Sequence, residues 1–78
     1  MALDIHKVRQ LCKDASRSLD SAKRDTERVI SDFRNLGSGF TGDRAYSREY
    51  SNLDSAVKEA VRALAKVRSA VDDIHRKV

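Results

Sequence analysis

Apolar side chains recur three and four positions apart, without a slip, through each half of this chain, and the halves are separated by the stretch Gly37-Ser38-Gly39-Phe40-Thr41-Gly42. The first half runs Ile5, Val8, Cys12, Ala15, Leu19, Ala22, then polar Thr26, Val29, Phe33 and Leu36. The second runs Tyr46, Tyr50, Leu53, Val57, Ala60, Leu64, Val67, Val71, Ile74 and Val78. Such spacing lines one face of a helix and is a heptad seam; a strand would need strict alternation. It predicts one helix from about Asp4 to Arg34 and a second from about Asp43 to Arg76, each on the order of 45–50 Å long.

Between them, glycines permit positive φ and two hydroxyls can cap helix ends, so residues 37–42 read as the turn. The expected fold is all-α, one domain over residues 1–78: an antiparallel, coiled-coil-like two-helix hairpin. Folding back about this turn pairs Phe33 with Tyr46, Val29 with Tyr50, Leu19 with Ala60, Ala15 with Leu64, Cys12 with Val67 and Ile5 with Ile74.

A chain of 78 residues is short for such a fold. Below roughly 70–80 residues a single core rarely supplies more than about 3–5 kcal/mol. A partner is therefore expected, and Ala56, Ala63 and Ala70 recur every heptad beside the second seam, where small side chains let another helix approach. Val61 lies on the opposite side of that seam. A four-helix bundle made by homodimerisation, or by heterodimerisation with another helical protein, is the expected completion.

The net charge of +4 is spread evenly, with eight basic and six acidic residues in each of 1–36 and 43–78. Acidic neighbours at helical spacing, Asp20 with Arg24, Asp54 with Lys58 and Asp72 with Arg76, make a salt-bridged outer face the leading reading. The alternative is a small basic protein that binds nucleic acid or an anionic surface through Arg44, Arg48, Lys58, Arg62 and Lys66. Glu49, Asp54 and Glu59 interrupt that stripe, and it displays no aromatic for base stacking, which weighs against nucleic acid.

No constellation supports catalysis, so the chain is read as a non-enzyme without cofactor or metal. The turn spells Gly37-x-Gly39-x-x-Gly42, the letters of a dinucleotide-binding loop, but that motif needs a preceding strand inside a βαβ unit, and here a long helix precedes it. His6 and His75 fall at the same open end, yet two ligands are too few for structural zinc, and Cys12 belongs to the seam. A lone cysteine forms no internal disulfide. No run of 18 apolar residues spans a membrane, and the opening Met1-Ala2-Leu3-Asp4 has no charged region leading into an apolar one, so no cleavable export signal is expected.

All four aromatics, Phe33, Phe40, Tyr46 and Tyr50, gather at the turn. They can staple the tip shut and also meet a partner.

The segment from Phe40 to Leu53, Phe-Thr-Gly-Asp-Arg-Ala-Tyr-Ser-Arg-Glu-Tyr-Ser-Asn-Leu, resembles the turn and second-helix start of the WXG family, the small helical-hairpin substrates of bacterial type VII secretion. Phe40 stands where that family has Trp, Gly42 where it has Gly, and Ala45 with Tyr46 or Tyr50 at its small and aromatic positions. The family's signal, Tyr-x-x-x-Asp/Glu, follows its second helix; Tyr50-Ser51-Asn52-Leu53-Asp54 has the letters but sits near the start of that helix, where seam packing accounts for them. The resemblance implies a dimeric four-helix bundle, export without a cleaved signal peptide, and service as a secretion substrate or as the targeting partner of a larger secreted toxin. Partner contacts are then expected at Phe40, Gly42, Tyr46, Tyr50, Ala56, Ala63 and Ala70. Outside that resemblance the same seam describes a cytoplasmic protein or a coiled-coil subunit of an unrelated assembly.

Overall fold

The computed structural model describes residues 2–78. It contains helix α1, Ile5–Arg34, a single helical turn α2, Ser38–Thr41, and helix α3, Ser47–Lys77, with no strand among the described residues. Asp4 caps α1, its carboxylate accepting from the amides of His6 at 3.0 Å and Lys7 at 3.3 Å. A carboxylate there both satisfies orphan donors and complements the helix dipole. Polar Thr26 is tolerated on the packed side because its hydroxyl donates to the Ala22 carbonyl at 2.7 Å within the same helix.

The connection is more structured than a loop. Gly37 adopts φ 91° and ψ −179°, a region essentially closed to side chains, and so turns the chain from α1 into α2. A Cβ on Gly42 would lie 3.0 Å from the Ser38 carbonyl oxygen, whereas one on Gly39 would meet open space. The second long helix begins at Ser47 rather than near Asp43, because the Asp43 carboxylate takes the Ala45 amide at 2.6 Å and its carbonyl takes the Tyr46 amide at 3.1 Å. Asp side chains that bond the backbone two residues on favour turns over helix interiors.

Helices α1 and α3 pack side by side in opposite directions. The Arg9 guanidinium donates to the Val78 carbonyl at one end, Arg68 meets Asp20 midway, and Arg34 meets Tyr50 at the other end. The resulting rod measures 60 × 18 × 16 Å. Its register differs from the pairing expected above by about one helical turn: Cys12 lies beside Val71, and the Ser16 carbonyl accepts from Arg68 at 3.4 Å. The helical turn α2 and the Asp43 turn take up chain that a longer second helix would have used.

Packing between the helices uses Val8, Cys12, Ala15, Leu19, Ala22 and Ile30 of α1 against Leu53, Val57, Ala60, Val61, Leu64 and Val71 of α3, each buried or half-buried. Among the described residues, only Cys12, Ile30 and Val57 are buried, at 5%, 8% and 8% exposure. Val67 and Ile74, expected in the seam, remain 50% and 51% exposed, and Arg68 takes the half-buried place beside Val67 with its aliphatic stem. Of the ion pairs expected within helices, Asp54 with Lys58 forms at 2.9 Å. Asp20 instead crosses to Arg68, and Arg76 pairs with Asp73 rather than Asp72.

Candidate interaction surface

Two antiparallel helices make a ribbon with two broad faces, and here the faces differ in chemistry. One carries Leu19, Asp20, Lys23, Leu64, Ala65, Arg68, Ser69 and Asp72, where the Arg68 guanidinium donates to Asp20, to the Ser16 carbonyl and to the Asp72 carboxylate. That face is closed by its own charges. On the other, Val8, Leu11, Cys12, Ala15, Val71 and Ile74 line an almost wholly apolar groove of about 250 Å³ at the open end of the ribbon.

The apolar face continues along both helices. On α3, Ala56, Ala63, Val67, Ala70 and Ile74 follow one another at heptad spacing, all exposed and one helical step round from the residues that cover α1. On α1, Leu11 is 66% and Val29 42% exposed in the corresponding positions. Towards the tip the face reaches exposed Phe33 and Leu36, which with Asp32 border a further shallow depression.

The exposed area is larger than that of a compact chain of this mass. A compact monomer of its mass exposes about 4,800 Å². This chain exposes 6245 Å², an excess on the order of 1,400 Å². The radius of gyration is 17.9 Å, against about 12 Å for a compact domain of this length. The shape is that of an elongated rod.

At the tip the aromatics converge. Phe40, on α2, stacks on Tyr46 with ring centroids 5.0 Å apart, lies 5.7 Å from Phe33 and meets Tyr50 edge-on at 6.2 Å. Phe40 and Tyr50 are half-buried while Tyr46 stays 50% exposed. Tyr50, beside the Arg34 guanidinium where the end of α1 meets the start of α3, pushes the Arg34 pKa still higher, as does the charge of Asp54 nearby. Gly42 closes α2, its amide donating to the Ser38 carbonyl at 2.9 Å.

The structure thus separates the residues singled out from sequence into two groups. Phe40, Gly42, Tyr46 and Tyr50 form the tip, and Ala56, Ala63 and Ala70 lie along the apolar face. Leu11, Val29, Val67 and Ile74 are the members that sequence reasoning missed; Val29, Val67 and Ile74 had been allotted to the seam, and Ile30 rather than Val29 is the buried residue there. The signal was the apolar arc of the second helix, which is too wide for one neighbour to cover. Of the basic residues, Lys58 is paired with Asp54, Arg48, Arg62 and Lys66 are exposed along α3, and Arg44 lies in the Asp43 turn outside it. His6 and His75 are exposed, and no group of His, Cys, Asp and Glu able to hold a metal ion occurs among the described residues. Among the described residues, no helix is long and apolar enough to cross a membrane.

Comparison with family models, curated proteins and solved structures finds no match to this chain.

Proposed function

We propose that this chain is a non-enzymatic protein-binding module, a helical hairpin that completes a four-helix bundle with another helical protein. The observation that carries the reading is the uncovered apolar face, where Leu11, Val67 and Ile74 stand half or more exposed beside the small side chains of Ala56, Ala63 and Ala70. Exposed contiguous apolar surface on a charged protein marks an interaction site, and a stripe of alanines sets close helix–helix approach. The aromatic tip, with Tyr46 and Leu36 outward, extends the contact beyond the stripe.

The Phe40-x-Gly42 turn extends this to a biological setting: a WXG-like substrate of type VII secretion, or the targeting partner of a larger secreted protein, exported without a cleaved leader. The test is recovery of the tagged chain from its host. Support is a helical partner in near-stoichiometric amount, lost on Val67→Asp with Ile74→Asp and retained on Arg62→Glu, with intact protein in the medium. Recovery of a partner that the Val67 and Ile74 changes leave bound would overturn the assignment of this face, and strictly intracellular protein would remove the export reading.

A further inference from the structure

The outer edge of α1, opposite its packed side, is basic. Gln10, Lys13, Arg17, Ser21, Arg24 and Arg28 follow one another there at three- and four-residue spacing, all exposed, and no acidic residue stands in the row. The acids beside it are turned to other partners. Asp20 pairs with Arg68 of α3, Asp14 accepts from the Gln10 side-chain amide at 3.0 Å, and Asp25 holds Arg28 at 3.7 Å. Lys13, Arg17 and Arg24 make no ion pair among the described residues. The outer edge of α3 is different, because Lys58 is paired with Asp54 and Glu59 stands one turn from Arg62. Leu11, on the uncovered apolar face, lies about a third of a turn round α1 from Arg17, so a partner on that face leaves the basic edge open.

We propose that this edge docks across the major groove of duplex DNA, a role beyond the protein-binding reading above and independent of it. Lys13 and Arg17 stand one turn apart, and Arg24 follows Arg17 after about 10 Å along the axis. Two rows of phosphates border the major groove of a B-form duplex, about 12 Å apart. Lys13 and Arg17 meet one row and Arg24 meets the other, with Ser21 over the groove between them. A serine there is too short to reach base edges in a groove about 8.5 Å deep, so docking is indifferent to sequence. Arginine suits the task because its planar fork donates to two phosphate oxygens at once. No aromatic stands in the row, which fits a duplex held by its backbone rather than a single strand held by stacking. A flat anionic lipid surface also attracts cations, but the row holds no apolar side chain to enter one, and a plane gives no reason for the gap between Arg17 and Arg24.

Fluorescence anisotropy of a short labelled duplex of mixed sequence, titrated with the full chain over a salt series, tests this. Three phosphate contacts give a slope of log affinity against log salt of about −2.7, so affinity falls about fortyfold from about 50 to about 200 mM salt. Lys13→Gln alone should make that slope shallower by about one, and Arg17→Gln with Arg24→Gln should bring it to about −1, helix content by circular dichroism being unchanged. Lys7→Gln with Lys77→Gln removes the same charge away from the row and should weaken binding less than about threefold. An unlabelled single strand of equal length, with only one row of phosphates, should compete about tenfold more weakly than the duplex. No saturation by about 500 µM protein, equal losses from the two double variants, or a single strand that competes as well as the duplex overturns the proposal. Binding to phosphatidylserine vesicles that needs Arg17 and Arg24, with none to the duplex, also overturns it and gives the edge to a lipid surface.

Discussion

Arg68 of α3 lies opposite Asp20 of α1 and joins three acceptors from the two helices, the Asp20 carboxylate, the Ser16 carbonyl and the Asp72 carboxylate. An arginine at the edge of a helix seam works in two ways: its stem covers apolar neighbours and its head cross-links the ribbon. The side chains of Arg68 and Asp20 are 37% and 58% exposed, so solvent screens much of their attraction. Arg68→Met, which keeps the stem, should therefore cost only about 0.5–1 kcal/mol. Arg68→Ala loses the stem as well and should cost about 1–2 kcal/mol. Urea unfolding at low and high salt separates the parts, since the difference in stability between the unaltered chain and Arg68→Met should shrink as salt rises.

The turn glycines make unequal demands. At Gly37, with φ 91° and ψ −179°, any side chain is strained, and Gly37→Ala should destabilise by about 1–3 kcal/mol. Gly39 sits on α2 with open space around its Cβ position, so Gly39→Ala should be neutral or stabilise by up to about 1 kcal/mol through lower unfolded-state entropy. Denaturation midpoints of the two variants, measured side by side, check the contrast.

Phe40 is the hub of the tip, touching Phe33, Tyr46 and Tyr50. Aromatic contacts of this kind contribute about 0.5–1.5 kcal/mol each beyond burial. Phe40→Ala should cost about 2–3 kcal/mol in all, since the ring is only half-buried. Hydrogen exchange should accelerate first at the amides of Tyr46 and Tyr50 and last around Val57, because local opening begins where contacts are lost.

The all-helical class is legible in the sequence because the three-four spacing is unbroken through both halves. Register is not, because it depends on how much chain the connection consumes. The carboxylate of Asp43 decides that by holding Ala45 in a turn, and Phe40 by anchoring α2 among the aromatics; neither effect belongs to a helical repeat. The exposed apolar face was legible only in Ala56, Ala63 and Ala70. On α3, Leu64 and Val67 are equally apolar, so spacing alone cannot say which lies under α1, and the choice follows from where α3 begins.

Cys12 reports on the integrity of the ribbon. Its thiol is 5% exposed and packed near Val71 and Ala15, so a charged disulfide reagent should label it about a hundredfold more slowly in the folded chain than in urea. Cys12→Ser puts a hydroxyl at a buried apolar position and should destabilise by about 1–2 kcal/mol. Labelling kinetics and thermal unfolding together test both statements.

Val57 and Val67 carry the same side chain on the same helix, one 8% exposed beneath α1 and the other 50% exposed on the open face. Val57→Ala removes buried methyls at any concentration and should cost about 2 kcal/mol, concentrated or dilute. For the isolated chain, Val67→Ala should be nearly neutral, since the lost half-burial, about 0.8 kcal/mol, is largely offset by the better helix propensity of alanine. Once a partner helix covers the face, the same methyls become buried and their loss becomes visible. If that partner is a second copy, the melting temperature of the unaltered chain rises with concentration, that of Val57→Ala rises in parallel from a lower start, and that of Val67→Ala rises less steeply. Melting curves over a hundredfold concentration range distinguish the three, and identical slopes for the unaltered chain and Val67→Ala would place Val67 outside the interface.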